Sequence, residues 1–131
     1  MKNDKITKDI LDAIEIGIKA GMNCTPEGMV VVEQVGDNVG RTWNVPEGPC
    51  GFAWVEMKGN SKLGRRVKEL FGEGTPRNEL VFAHKGYPTG IHLWISAFGQ
   101  SYDRKSMAAN AIAGHLRSLG YEGVYGNGRL D

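Results

Sequence analysis

The chain has 131 residues, 40% of them hydrophobic and 24% charged, and a formal net charge of +1. This length suits one domain with a sizeable core, and the composition is typical of a folded protein rather than a disordered one. The near-zero charge excludes a strong global attraction to nucleic acid or membranes, and no apolar run approaches the roughly 18 residues of a membrane span. The amino terminus lacks the apolar segment of a signal peptide, and we therefore predict a cytoplasmic protein. From the length we predict a single domain over residues 1–131.

Neither the cysteines nor the histidines are spaced as metal ligands. Cys24 and Cys50 are far apart and lack CxxC spacing, so the sequence predicts free thiols in a reducing compartment. His84, His92 and His115 are not paired with either cysteine or with each other at ligand spacing. We therefore predict no metal, no cofactor and no catalytic residue. A small enzyme is a third hypothesis, after two binding functions, and it would require a histidine that lies next to a carboxylate in the folded chain.

The first 48 residues read as an extension of the main fold. Apolar residues at helical spacing predict an amphipathic helix over residues 7–20, with Thr7 as the N-cap and Gly21 at the end. A β-branched run predicts a strand over residues 29–35, and a short return strand is expected over residues 41–45. This extension is expected to lie at an edge of the main sheet or on its open face.

From residue 50 onward the predicted elements follow the order strand, helix, strand, strand, helix, strand. The strands are expected over residues 52–58, 79–85, 91–98 and 123–125, and the helices after the N-caps Ser61 and Ser101. This βαββαβ order over residues 50–131 is typical of the ferredoxin-like α+β fold, an antiparallel sheet with two helices on one face. In that arrangement the strands 52–58 and 91–98 are central neighbours.

The alternation of side chains along these two strands gives the sharpest functional hypothesis. If the small and aliphatic residues face the helices, then Phe52, Trp54, His92 and Trp94 share the opposite face with Glu56. Aromatic side chains on an open sheet stack on nucleic-acid bases. The alternative is that the amphipathic helix 7–20 covers this face and makes the aromatics part of the core.

Basic residues cluster in and around the first helix of the βαββαβ unit. Two helix N-termini with nearby cations suggest phosphate contacts, and the cations are Lys58, Lys62, Arg65, Arg66 and Lys68 with Arg104 and Lys105 of the last helix. The competing interpretation is a solvated helix face balanced by neighbouring acidic residues. No GxxxxGK loop and no GxGxxG turn is present, so a nucleotide-hydrolysing site is not predicted.

Several short strings are spread over residues 50 to 131: GFAWV at 51–55 and KGY at 85–87, then Gly90 and Trp94, then GQS at 99–101, RK at 104–105 and GRLD at 128–131. In these strings the chain resembles a group of small uncharacterised proteins encoded by tailed bacteriophages. The resemblance implies an accessory or virion-associated protein that acts in the cytoplasm of an infected bacterium, and it implies no activity.

These observations favour a protein that works by binding rather than by catalysis. The first ligand class to consider is nucleic acid, bound by Phe52, Trp54, His92 and Trp94 together with the cations Lys62, Arg65, Arg66, Arg104 and Lys105. The alternative is a protein–protein interaction module in which the strand over 29–35 pairs with another chain or in a homodimer. No membrane partner is expected.

Overall fold

The computed structural model describes residues 4–36, 38–86 and 89–131. In chain order its elements are α1 (Asp4–Asn23), β1 (Met29–Val35), β2 (Asn38–Val45), β3 (Gly51–Met57), α2 (Lys62–Phe71), β4 (Val81–Lys85), β5 (Ile91–Ile95), α3 (Tyr102–Ser118) and β6 (Tyr125–Leu130). The predicted α+β class is confirmed. Tyr87 and Pro88, in the predicted loop before β5, lie outside the described residues.

The main sheet has four antiparallel strands in the spatial order β4-β5-β3-β6. The two central strands are therefore β3 and β5, as the sequence predicts, and Trp54 lies directly opposite Trp94 across them. The outer strand β4 pairs with β5, and β6 pairs with β3 along its whole length. This register decides which side chains share a face, since side chains directly opposite each other point to the same side.

One face of the sheet packs against helices and forms the core. Val55 of β3 and Leu93 of β5 are fully buried beneath Val67 of α2 and Ile112 of α3. Each such side chain contributes about 1.5–3 kcal/mol by leaving water. The small residues Ala108, Ala109 and Ala113 are also buried on α3, where their size lets the helix lie close to the sheet.

The helix α1 packs on α3, on the same side of the sheet as α2. Its buried stripe, Ile10, Ala13 and Ile14, belongs to the common core. The two helices run antiparallel: the hydroxyl of Tyr121, just after α3, donates to Asp9 near the start of α1, and Arg104 near the start of α3 donates to the carbonyls of Gly21 and Met22. The expected placement of this helix on the open face or at a sheet edge is therefore wrong.

The bounds of α1 and of the last strand differ from the sequence prediction. The helix α1 begins at Asp4 and continues to Asn23, so Thr7 is an internal residue whose hydroxyl accepts a hydrogen bond from Arg66 Nε at 2.7 Å. Gly21 does not end it, because Arg104 satisfies carbonyls of the last turn. The last strand covers Tyr125–Leu130 rather than 123–125, because the edge of β3 supplies its backbone partners.

The predicted N-caps of the other two helices are confirmed. Ser61 Oγ accepts a hydrogen bond from Gly64 N at 2.9 Å, and Ser101 Oγ accepts one from Arg104 N at 3.4 Å. Each bond satisfies one of the backbone N–H groups that a helix start leaves unpaired. The cap at Ser101 also fixes the start of α3 next to the beginning of β3, where Gly51 N donates to Gln100 O at 3.0 Å.

The strands β1 and β2 form a separate antiparallel hairpin with an irregularity between Val32 and Gln34. Within the described residues, the hairpin makes no extensive contact with another helix or strand. Its two ends are held at the start of α3, where Glu27 N donates to Asp103 at 2.8 Å and Arg104 Nε donates to Glu47 at 2.7 Å. The side chains of Val30, Val31 and Val32 in β1 lie outside the described part of the structure.

The hydrogen bond between Tyr121 and Asp9 predicts a pH-dependent contribution to stability. The Tyr121 hydroxyl lies 2.6 Å from Asp9 Oδ2. Its hydrogen bond lowers the pKa of Asp9, and a hydrogen bond from Lys5 lowers it further. Burial and the bond to Asp9 raise the pKa of Tyr121 to about 12. A carboxyl whose pKa is lowered in the folded state stabilises the fold at neutral pH and loses that contribution as the pH falls through the folded-state pKa. We expect Tyr121→Phe to lower the free energy of unfolding by about 1.5–3 kcal/mol at neutral pH.

The difference between Tyr121→Phe and the wild type should shrink as the pH is lowered below about 4, and urea unfolding across that range measures it. The exposed Tyr125, for which the structure gives no hydroxyl hydrogen bond among the described residues, supplies the control Tyr125→Phe. If Tyr121→Phe lowers the free energy of unfolding by the same amount at every pH, the Asp9 carboxylate has no role in the effect.

Candidate nucleic-acid interface

A row of side chains crosses the open face of the main sheet from one edge to the other. Phe82, Trp94, Trp54 and Asn127 lie directly opposite one another on β4, β5, β3 and β6. The rings of Phe82 and Trp94 are nearly parallel, with centroids 6.2 Å apart and an interplanar angle of 3°. Trp94 and Trp54 are closer, at 4.7 Å with a tilt of 35°. The row thus presents three adjacent rings on one surface.

Two further rings extend this row along the strands. His92 stacks on Trp54 with centroids 5.5 Å apart and an angle of 18°, and Phe52 meets Trp94 edge to face at 6.1 Å. We call the surface formed by Phe52, Trp54, Phe82, His92 and Trp94 the aromatic face. Four of these residues are predicted from the sequence, and the rings of three of them, Phe52, Trp54 and His92, contact the ring of the fourth, Trp94. Phe82 also contacts Trp94, because β4 pairs with β5 in this register.

The aromatic face is open in the described part of the chain. Phe82 is 44% exposed and Phe52 36% exposed, while Trp54, His92 and Trp94 are half-buried by their neighbours. All three helices contribute to the core on the opposite side of the sheet. The interpretation in which the amino-terminal helix buries these aromatics is therefore contradicted, because α1 packs against α3 instead.

Glu56 anchors the ring of Trp54 at one border of the face. Its Oε1 accepts hydrogen bonds from Trp54 Nε1 at 3.0 Å and from Asn127 Nδ2 at 2.9 Å. These two bonds lower the pKa of Glu56, with Asn127 the larger cause, so the carboxylate is charged at neutral pH. The indole of Trp54 is thereby held in a fixed orientation, which reduces the entropy that a stacked ligand must immobilise.

His92 contributes a neutral ring. Burial lowers its pKa, and this outweighs the opposite effect of Glu56, whose Oε1 lies 3.8 Å from His92 Nε2. At neutral pH the imidazole is therefore uncharged and acts as a stacking and hydrogen-bonding group.

Two cations lie at the end of the face where β3 begins. The guanidinium carbon of Arg129 lies 5.5 Å from the centre of the Phe52 ring, a cation–π geometry. Lys105 reaches the same end from α3. Arg129 and Asn127 are not among the site residues predicted from the sequence, because the last strand is expected there only over residues 123–125. The alternation of Tyr125, Asn127 and Arg129 is the pattern that could have placed them on this face.

The other predicted cations are not on this face. Lys62, Arg65 and Arg66 belong to α2, which packs on the opposite side of the sheet. Arg66 donates to Thr7 and forms an ion pair with Glu69 at 2.8 Å. Arg104 is held by Glu47 and by two carbonyls of α1. The aromatic and basic groups that the sequence assigned to one site are thus separated by the sheet, with Lys105 as the exception.

The described residues also limit other kinds of site. No helix in the ranges 4–36, 38–86 and 89–131 is long and apolar enough to cross a membrane. In the same ranges, no three His, Cys, Asp or Glu side chains are grouped so that they could hold a metal ion, and Cys24 and Cys50 are free thiols.

Comparisons of the chain with protein-family models, with curated proteins and with solved structures found no match. The geometry of the aromatic face is therefore the basis for assigning a function.

Proposed function

We propose that this protein binds single-stranded nucleic acid by stacking bases on the aromatic face. The observation that carries the proposal is the row of Phe82, Trp94 and Trp54, which spans three adjacent strands on a face that no helix covers among the described residues. A run of rings in register across a sheet offers successive platforms for unpaired bases. Exposure of such a surface to water without a ligand costs free energy, which favours a binding role.

Stacking rather than charge should supply most of the affinity. Each stacked base contributes about 1–3 kcal/mol, and the face offers room for two or three. The formal net charge is only +1, and Arg129 and Lys105 are the cations at the face, so few phosphates are neutralised. Two such contacts correspond to a slope of log affinity against log salt of about −1.4 for a single strand. Base selection should be weak, because every base has a face that can stack.

We also propose that β3, α2, β4, β5, α3 and β6 form a ferredoxin-like core. The support is the βαββαβ order along the chain, together with a spatial order in which the first and third strands are central. The phage-like setting implied by the resemblance of residues 50–131 is part of the same proposal, in which the protein serves as an accessory factor in an infected bacterium.

A titration of labelled oligothymidylate and oligouridylate followed by fluorescence anisotropy tests the binding proposal. We expect micromolar binding with quenching of tryptophan emission, and a loss of affinity of about sevenfold between about 50 and 200 mM salt. A duplex of the same sequence should bind more weakly, because its bases are already stacked. Absence of quenching and of anisotropy change with both single strands would overturn the proposal.

A second candidate is a protein–protein interaction module, and the hairpin β1–β2 favours it. A two-stranded hairpin alone is marginally stable in water. Within the described residues, β1 and β2 pair only with each other. Addition of a strand from another chain would satisfy its open edges. Sedimentation equilibrium of the same samples separates the candidates: a concentration-dependent dimer that ignores oligonucleotides supports the interaction module.

A further inference from the structure

A groove of about 430 Å³ lies at one end of the aromatic face. Phe52, Phe82 and Trp94 form its apolar walls, and Lys105 of α3 also lines it, although α3 lies on the other side of the sheet. Lys105 can reach this groove because α3 starts beside the beginning of β3, where Cys50 pairs with Ser101. The groove therefore combines flat rings with one primary amine.

Lys105 is an unusual lysine in this chain. Only 7% of its surface is exposed, whereas lysine is almost never buried without a partner. Among the described residues, no carboxylate forms an ion pair with Lys105 and no acceptor forms a hydrogen bond with its Nζ. The same residues contain no fully buried side-chain nitrogen or oxygen that lacks a partner, so Lys105 Nζ keeps a small opening to solvent.

The opening and the missing partner together indicate an anion site. Burial lowers the pKa of Lys105, which means that the charged amine is held there at a cost in free energy. A bound anion would remove that cost by supplying the absent negative charge. No Asp or Glu lines the groove, and His84 is the other titratable side chain in its wall, so nothing in the lining repels an anion.

We propose that Lys105 binds a phosphate group of the nucleic acid while the adjoining base stacks in the groove against Trp94 and the two phenylalanines. This inference rests on the proposed function and assigns one residue to one chemical group of the ligand. It gives the strand a fixed end on the aromatic face, since the phosphate is held where β3 begins and the bases extend over Trp94 toward Trp54. Lys105 acts as a point charge here, with three N–H donors for phosphate oxygens.

The test is the variant Lys105→Met, which keeps the length and packing of the buried stem and removes the charge. In the oligothymidylate titration, we expect Lys105→Met to weaken binding about tenfold and to make the salt slope shallower by about 0.7, the value for one phosphate contact on a single strand. Lys62→Met on α2, on the opposite side of the sheet, is the matched control and should change neither quantity.

A second readout does not depend on a strand. Thymidine 5′-monophosphate and thymidine differ only in the phosphate, and quenching of tryptophan emission reports the binding of each. The wild type should bind the monophosphate more tightly than the nucleoside, and Lys105→Met should remove that difference. Because Lys105→Met removes a buried charge that has no partner, the unfolding temperature of the variant should equal or exceed that of the wild type.

The outcomes separate this inference from the proposed function. If the oligonucleotide binds but Lys105→Met leaves its affinity and salt slope unchanged, the phosphate assignment is wrong and the stacking function stands. If no oligonucleotide binds but the monophosphate preference depends on Lys105, the anion site stands and the strand-binding function is wrong. Equal binding of thymidine and its monophosphate by the wild type, with no oligonucleotide binding, overturns both.

Discussion

Replacement of Trp94 by alanine is expected to weaken the binding of single-stranded oligonucleotides between about 5- and 150-fold, the effect of losing one base-stacking platform. The effect should lie in the upper part of that range, because Trp94 contacts four other rings of the aromatic face. It lies parallel to Phe82, at a tilt to Trp54 and edge to face with Phe52. Its removal therefore interrupts the row at its centre: Trp54 and His92 stay stacked, while Phe52 and Phe82 each lose their ring contact with Trp94.

Two further variants distinguish a lost platform from a damaged fold. Trp94→Phe keeps a ring at the same position and should recover most of the affinity. Met107→Ala removes an exposed apolar side chain, 47% exposed, from α3 on the other side of the sheet, and it should leave binding unchanged. Anisotropy titrations measure affinity, and circular dichroism with thermal unfolding shows whether each variant is folded. Unaltered binding by a folded Trp94→Ala protein would exclude the aromatic face as the site.

The position of α1 against α3 predicts an unusual sign for a glycine substitution. An alanine in place of glycine inside a helix normally stabilises a protein by up to about 1 kcal/mol. At Gly17 a Cβ would lie 2.8 Å from the carbonyl oxygen of Ala108 and closer still to Ile112. Because the Ala108 contact is with backbone, a change of rotamer does not relieve it, and α1 would have to move away from α3. We expect Gly17→Ala to lower the free energy of unfolding by about 1–3 kcal/mol.

Gly114 on α3 provides the matched control for this substitution. A Cβ at Gly114 would have as its nearest neighbour the flexible end of Arg117, at 3.9 Å. Gly114→Ala should therefore raise the free energy of unfolding by up to about 1 kcal/mol through helix propensity alone. Urea unfolding of the two variants measures both signs. A stabilising Gly17→Ala would show that α1 does not pack on α3 at this position.

Much of the local structure follows from short-range sequence patterns. The alternation in β3 and β5 placed Phe52, Trp54, His92 and Trp94 on one face, because successive side chains of a strand point to opposite sides. Ser61 and Ser101 marked the starts of α2 and α3, because a serine hydroxyl satisfies the N–H groups of a first helical turn. These features depend on neighbours within a few residues.

Sequence patterns alone do not show whether the aromatic and the basic residues lie in the same site. The cations of α2 are close in sequence to β3, yet the crossover carries them to the opposite face, where Arg66 contacts Thr7 of α1. Lys105 is next to Arg104 in the chain, but one lines the groove and the other binds Glu47. Adjacent residues on a helix point in directions about 100° apart, so only the docking of the helix decides what each of them meets.

The order of the elements, the two faces of the central strands and the caps of two helices follow from the sequence alone, since each of these depends on periodicity or on local hydrogen bonds. The position of α1 and the length of β6, in contrast, depend on contacts between distant parts of the chain. An amphipathic stripe such as Ile10, Ala13 and Ile14 can be buried equally well by any apolar surface. Close approach at Gly17 and the hydrogen bonds from Arg104 and Tyr121 select α3 as that surface. This selection leaves the aromatic face uncovered by α1.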